Sequence, residues 1–283
     1  MSTTKGNEAQ AEMWNGPVGE RWSQYWRHID AILEPLSRPL LARAGAQVGE
    51  RVIDIGCAQG TTTLALAEQV SSSGAVLGVD LSSLTLAIAR ERAARATQVE
   101  FVAADATDYP FEEGSWDLAI SRFGVMFFAD PVRSFSQVGR ALRPGGRLAF
   151  VCWQAVQDNE WIALVAQVAK EAGAPEPEET PDPDGPGAFS LADPTRIGAI
   201  LSSAGFRGVT TESLQPKLRI GATPEEAARF MLEMGPVASM VEDAEPSLRA
   251  KVETALVERF CEFASDEGVH LGAAAWLVSA TSA

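Results

Sequence analysis

The stretch Arg51-Val52-Ile53-Asp54-Ile55-Gly56-Cys57-Ala58-Gln59-Gly60-Thr61 concentrates residues that could do chemistry. A short apolar run ends in the acid Asp54. Gly56 and Gly60 follow, and hydroxyls then open a helical pattern. This order predicts a buried strand, a tight loop and a helix N-terminus. Glycines let the backbone turn sharply and approach a ligand, because no Cβ stands in the way. A helix N-terminus adds unpaired N–H groups and partial positive charge, which suit a carboxylate or phosphate. Asp54 could take an ammonium group, so acid and loop together suit a zwitterion.

Two further acids repeat the arrangement. Asp80 closes the run Ala75-Val76-Leu77-Gly78-Val79, and Asp105 follows Glu100-Phe101-Val102-Ala103-Ala104. Asp80 lies twenty residues after Gly60, where a ribose-binding acid is expected. A dinucleotide loop would read G-x-G-x-x-G. Here Ala58 stands between the glycines, so that fingerprint is incomplete. One acid for an amino-acid end, one for a ribose and one for an adenine amino group describe S-adenosylmethionine. The competing reading is a nucleotide-free α/β domain with solvated acids at its strand ends.

These motifs resemble those of class I S-adenosylmethionine-dependent methyltransferases, close to the ubiquinone/menaquinone-biosynthesis type and its small-molecule relatives. The family's glycine motif is matched by Asp54-Ile55-Gly56-Cys57-Ala58-Gln59-Gly60. The ribose acid is matched by Asp80-Leu81-Ser82 and the adenine motif by Ala104-Asp105-Ala106. The fourth-strand motif is matched by Trp116-Asp117-Leu118-Ala119-Ile120-Ser121-Arg122. The turn before the fifth strand is matched by Leu142-Arg143-Pro144-Gly145-Gly146-Arg147-Leu148. The resemblance is close over residues 51–153 and loose elsewhere. It departs at Ala58, where the family usually has glycine. The extra methyl could crowd the methionine end and weaken cofactor affinity. The resemblance implies a Rossmann-like, seven-stranded doubly wound α/β sheet, S-adenosyl-L-methionine as cofactor and methyl transfer as the activity. The expected cofactor contacts are Asp54, Gly56, Cys57, Gly60, Asp80, Leu81, Asp105, Ala106, Ser121 and Trp22.

The elements that must position these residues alternate strand and helix. Val52–Ile55, Val76–Val79, Phe101–Ala104, Leu118–Ser121 and Arg147–Trp153 read as strands. Thr61–Gln69, Ser82–Arg95 and Pro131–Leu142 read as helices. Such alternation argues for a parallel, doubly wound sheet. A ligand then sits at the carboxyl ends of the strands, beside the switch in strand order. Val209–Leu214 reads as a sixth strand. Ala273–Ala280 reads as a last strand beside it, antiparallel.

The flanks divide the chain into expected units. Residues 1–45 are a helical cover, frayed to residue 10 and broken at Gly16-Pro17. Trp22, Trp26, Ile29 and Leu33 recur at helical spacing and predict one apolar face. Pro35 and Pro39 punctuate a second helix ending near Ala44. Residues 46–222 and 269–283 form the cofactor-binding core. Residues 223–268 are a helical lid or interface placed before the last strand. Residues 173–187 are rich in proline, acid and glycine and read as a mobile loop.

Methyl transfer from a sulfonium is an in-line displacement, in which the protein supplies position and surroundings. A base is needed only for an acceptor that must lose a proton. Only two histidines occur, and His28, beside the Trp22–Trp26 cluster, is the candidate base. Arg122 could meet a substrate anion or a neighbouring acid. Expected pocket walls are Trp14, Tyr25, Arg122, Phe123, Met126, Phe127, Trp153, Trp161, Phe230 and Met234, suiting a flat or greasy acceptor. Isolated cysteines and distant histidines make no metal site.

The chain has 23 basic and 38 acidic residues, a net charge of −15. Such a field repels phosphate backbones and argues against nucleic-acid substrates. No apolar run suits a membrane span, and Met1 to Asn7 lacks a signal-peptide core. Three scattered cysteines fit reduced thiols in a cytoplasm. The expected partner is a small-molecule methyl acceptor, with a homodimer conceivable. Two alternatives stay open: another nucleoside-cofactor enzyme on this fold, or a non-catalytic cofactor-binding regulator.

Overall fold

The computed structural model describes residues 5–175, 185–234, 236–242 and 244–283. The expected proline-rich loop at 173–187 lies partly outside the described residues, at 176–184. Three helices lead: α1 (Lys5–Asn15), α2 (Pro17–Gln24) and α3 (Trp26–Ala44). Then come β1 (Arg51–Ile55), α4 (Thr61–Val70), β2 (Ala75–Asp80), α5 (Ser83–Arg92), β3 (Val99–Ala103), β4 (Trp116–Arg122), α6 (Pro131–Ala141) and β5 (Leu142–Trp153). After these lie α7 (Glu160–Glu171), α8 (Pro194–Ser203) and β6 (Phe206–Leu214).

The main sheet has seven strands. The last is β10 (Ala275–Ser282), and the order is β3-β2-β1-β4-β5-β10-β6. Strands β1 to β5 pair in parallel, and β10 runs antiparallel between β5 and β6. A doubly wound sheet is covered on both faces, so its central strands carry near-continuous apolar runs. Val52, Ile53, Leu118, Ile120, Phe150 and Val151 are fully buried accordingly. The order turns back between β1 and β4, which opens a crevice at their carboxyl ends. Local signals start the helices. The Ser82 hydroxyl accepts the Thr85 N–H, and Asp130 accepts the Arg133 N–H ahead of Pro131, which is capping chemistry.

A smaller sheet joins β7 (Lys217–Gly221), β8 (Ala264–Ser265) and β9 (Gly268–Gly272), in the order β7-β9-β8. It brackets α9 (Pro224–Met234), α10 (Pro236–Val241) and α11 (Pro246–Phe260). The sequence reading held no such sheet. Its strands are short, and one is a two-residue pairing without a period of its own. Strands β7 and β9 stand outside the seven-stranded sheet, so the appendage begins before residue 223 and takes in residues 268–272.

Two further expectations need correction. The chain is helical from Lys5, not frayed to residue 10. Asn7 on that helix donates to the Asp105 carboxylate, and Asn15 donates to the Leu81 carbonyl at 2.9 Å. These distant anchors add to the apolar contacts of Met13 and Trp14 at the helix's other end. Helix α3 also runs unbroken through Pro35 and Pro39. Burial of Leu33, Leu36 and Leu40 outweighs the missing N–H groups, because both prolines sit toward the outer side. Trp26 leaves the expected apolar face. Its ring lies between the guanidinium groups of Arg27 and Arg92, each 4.4 Å from the centroid.

Candidate functional site

A cavity of about 730 Å³ opens at the carboxyl ends of the strands. One wall is the glycine loop. Gly56, Ala58 and Gly60 all have positive φ, at 67°, 47° and 76°. At Gly56 a Cβ would stand 2.7 Å from the Gly124 Cα, so the loops after β1 and β4 touch through bare backbone. Ser121 locks that contact: its hydroxyl donates to the Ile55 carbonyl at 2.8 Å and accepts the Gly124 and Val125 N–H groups. Phe123, beside them, also holds a positive φ of 62°. For a bulky residue this is a strained conformation. It lays the ring flat on Trp153, with centroids 4.1 Å apart.

The three strand-end acids divide. Asp54 is fully buried, and its Oδ2 accepts the hydroxyls of Thr62 and Thr63 at 2.7 and 2.6 Å. Its Oδ1 is buried without a partner. Burial pushes its carboxyl up, against the pull of the two hydroxyls and of Arg122. Asp54 does not line the cavity. Asp80 does, accepting the Ala58 and Ser82 N–H groups at 2.8 Å each. Desolvation raises its carboxyl to about 6, although those N–H groups favour the anion. Asp105 lines the cavity, and its two oxygens accept from the Thr107 N–H and the Asn7 amide.

The cofactor contacts from sequence therefore split. Gly56, Asp80, Leu81, Asp105, Ala106 and Trp22 line the cavity. Asp54, Cys57, Gly60 and Ser121 do not. Cys57 is buried, and desolvation keeps its thiol protonated, well above the ordinary range. Gly60 packs against the Phe101 ring, 2.8 Å from where its Cβ would be. These four build the loop from behind.

The expected acceptor walls Trp14, Arg122, Phe123, Met126, Phe127, Trp153, Trp161, Phe230 and Met234 line the cavity. Trp14 stands edge-on to Trp22 and Phe127, at 5.6 and 5.2 Å. Tyr25 does not line it but packs edge-on behind Phe230 at 5.9 Å. His28 is likewise corrected. It lies off the cavity, 4.3 Å from the Phe230 ring, with Nε2 2.8 Å from the Ile220 carbonyl. That nitrogen must carry the proton it shares with the carbonyl, so the ring joins α3 to β7. Arg122 meets a neighbouring acid: Nη2 donates to Asp30 at 2.7 Å and Nη1 to Ser37 at 3.0 Å.

Sequence reasoning missed Asn7 and the aliphatic walls Ile32, Leu218 and Ile220, which line the cavity, and Asp30, which holds Arg122. Ile32 and Ile220 follow a readable buried periodicity, but which cavity they face depends on tertiary packing. Asp30 carries no motif.

The wall fits S-adenosylmethionine. Two acids reach the cavity at the ends of adjacent strands, a glycine cradle excludes side chains, and a buried carboxylate oxygen lacks a partner beside that cradle. Residues 52–146 match the family model described as Methyltransferase domain. Over 116 residues the chain is 39% identical to a demethylmenaquinone methyltransferase of Clavibacter sepedonicus, a match covering 41% of this chain and 46% of that protein. One from Staphylococcus aureus (strain MRSA252) is 34% identical over 113 residues, covering 40% and 46%. The chain thus spans less than half the length of these relatives. Among solved structures, phosphoethanolamine N-methyltransferase 2 of Haemonchus contortus, in complex with S-adenosyl-L-methionine, superposes with a TM-score of 0.58. It is 18% identical, over 99% of this chain and 60% of that one. The YcgJ protein from Bacillus subtilis gives a TM-score of 0.57 at 19% identity, over 87% and 97%. These two share the fold. Residues 52–146 thus match a methyltransferase domain, and the chain is similar in sequence to demethylmenaquinone methyltransferases.

Proposed function

We propose that the chain transfers a methyl group from S-adenosylmethionine to a small apolar or aromatic metabolite, at oxygen or nitrogen rather than carbon. The observation that carries this reading is one continuous cavity with two unlike halves. Acids and bare backbone line the half beside β1, β2 and β3. Phe123, Trp153, Trp161, Phe230 and Met234 line the other. Bound S-adenosylmethionine supplies an electrophilic methyl on sulfur. The residues here supply alignment, which is worth roughly 7–11 kcal/mol in favourable cases.

Asp80 and Asp105 fit the roles of ribose and adenine acceptors, and Asp54 that of an acid behind the methionine end. Trp14 and Trp22 exclude water and offer ring faces to a cation. Among the described residues lining the cavity, the titratable side chains are Asp80, Asp105 and Arg122, all already engaged. An acceptor that brings its own nucleophile, such as a neutral amine or a phenolate, suits such a wall.

The helices at 223–268 fit a lid better than an interface. Phe230, Met231 and Met234 turn into the cavity. The large apolar side chains exposed among the described residues are Val48, Val132 and Val156, none of them in this segment. No helix among the described residues is long and apolar enough to cross a membrane. The test is release of S-adenosylhomocysteine on adding a panel of phenols, amines and carbon acids. Turnover with phenols or amines supports the reading. Turnover with carbon acids alone overturns the preference, and calorimetric binding of NAD instead of S-adenosylmethionine overturns the reading itself.

A further inference from the structure

Arg122 is the one cation among the described residues that line the cavity. It precedes Phe123, whose ring lies flat on Trp153 in the apolar half. Its side chain is 7% exposed. Nη2 donates to Asp30 at 2.7 Å and Nη1 to Ser37 at 3.0 Å. Neither contact uses the Nε–H, which has no partner among the described residues. That group is not sealed inside the protein, so it stays available from the cavity side.

The acid that holds Arg122 does not answer its charge alone. The second oxygen of Asp30 accepts the Thr61 hydroxyl and lies 3.6 Å from Arg92. One carboxylate is thus shared by two guanidinium groups. Asp54 is close enough to feel Arg122, but burial pushes its carboxyl up and disfavours the anion. A partly buried cluster with surplus positive charge is costly until a counter-ion reaches it. The cavity walls beside it, Ile29, Leu33 and Phe123, are apolar and supply none. A ligand must bring the anion, and the planar guanidinium fork matches a carboxylate.

We propose that the methyl acceptor is a planar aromatic acid, with its ring on the Phe123–Trp153 side of the cavity and its carboxylate on Arg122. This rests on the methyltransferase reading and narrows it: an acceptor without an acidic group leaves the free edge of Arg122 unpaired. Arg122 is then a specificity-determining residue for the acceptor. The methionine carboxylate of the cofactor is the competing anion, and the arms of the test separate the two.

The experiment is calorimetric titration of the full chain, loaded with S-adenosylhomocysteine, with naphthoate and with neutral naphthamide of nearly the same shape. Naphthoate is expected to bind about tenfold more tightly or better, as one charge-assisted hydrogen bond provides. Arg122→Gln should erase that ratio and leave S-adenosylhomocysteine affinity at the wild-type value. Asp30→Asn should widen the ratio, because it frees more of the same cation. Arg122→Lys keeps the charge without the fork; it should retain part of the ratio, and it keeps the test readable if Arg122→Gln folds poorly. Equal affinity for the two probes in the wild type, or binding of neither, overturns the inference and leaves the methyltransferase reading standing. So does an Arg122→Gln chain that keeps the ratio but loses affinity for both S-adenosylmethionine and S-adenosylhomocysteine, since the arginine then serves the cofactor's carboxylate. A wild-type chain that binds neither of those two ligands overturns the methyltransferase reading itself, and this inference with it.

Discussion

Asp80 gives the most quantitative test, because its burial makes cofactor binding depend on pH. Its carboxyl rises from the ordinary 3.8 to about 6 as desolvation outweighs two backbone N–H bonds. A raised acid holds its proton more tightly in the folded protein than in the unfolded chain. Stability is therefore greatest, as far as this group goes, below 3.8, and it is lost as pH rises toward 6. Above that the ionised group costs about 3 kcal/mol, at 1.36 kcal/mol per pH unit. Ligand hydroxyls donating to the carboxylate offset that cost, since bonds to a charged group contribute about 1.5–3 kcal/mol each. Binding then requires the anion, so acidification through pH 6 should weaken S-adenosylmethionine up to about tenfold per pH unit. Calorimetry between pH 5 and 7.5, in buffers of different ionisation heat, reads both the affinity and the protons released. Asp80→Asn should flatten the profile and bind weakly throughout. A wild-type affinity independent of pH over that range, with the fold intact, would refute the assignment.

Three further tests follow from the same wall. Ala58→Gly removes a left-handed alanine, which costs about 1–2 kcal/mol, against about 0.4–1 kcal/mol of added unfolded-chain freedom. Thermal melts should show a gain of about 0.5 kcal/mol and calorimetry a tighter cofactor, whereas a loss of stability contradicts the strain. Removing residues 1–24 deletes α1 and α2 but keeps the buried face of α3. The melting transition should survive while S-adenosylmethionine affinity falls roughly tenfold and turnover disappears; normal turnover sinks the cover. Phe230→Ala and Met234→Ala should change acceptor preference at constant cofactor affinity. Wild-type acceptor kinetics in variants that turn monomeric would instead make these helices an interface.

Much of the core was legible because its signals are local. Buried parallel strands need apolar runs, a tight loop needs Gly56 and Gly60, and a helix start shows in Ser82 or in Asp130-Pro131. The sequence alone therefore determined the seven-stranded sheet, the switch point and the placement of Gly56, Asp80 and Asp105 on one cleft. Cleft-lining Trp14, Phe123, Trp153 and Phe230 were likewise readable as apolar side chains near strand ends or on covering helices.

What the tertiary structure decided is which side of each residue meets the cleft, and what distant groups meet one another. Asp54, Cys57, Gly60 and Ser121 share the motifs of the lining residues yet do not line the cavity: Asp54 and Ser121 are strand residues engaged by Thr62, Thr63 and the Ile55 carbonyl, and Cys57 and Gly60 back the loop. His28 sits at helical spacing from the tryptophans, but the strand carbonyl of Ile220 claims its ring. The β7-β9-β8 sheet pairs strands some fifty residues apart, with hydrogen bonds that leave no period in so short a stretch. Above all, the Asp30–Arg122 pair spans 92 residues. An ion pair has no sequence spacing of its own. Its partners are chosen by the packing of α3 against the sheet, and by the high cost of leaving a buried guanidinium alone.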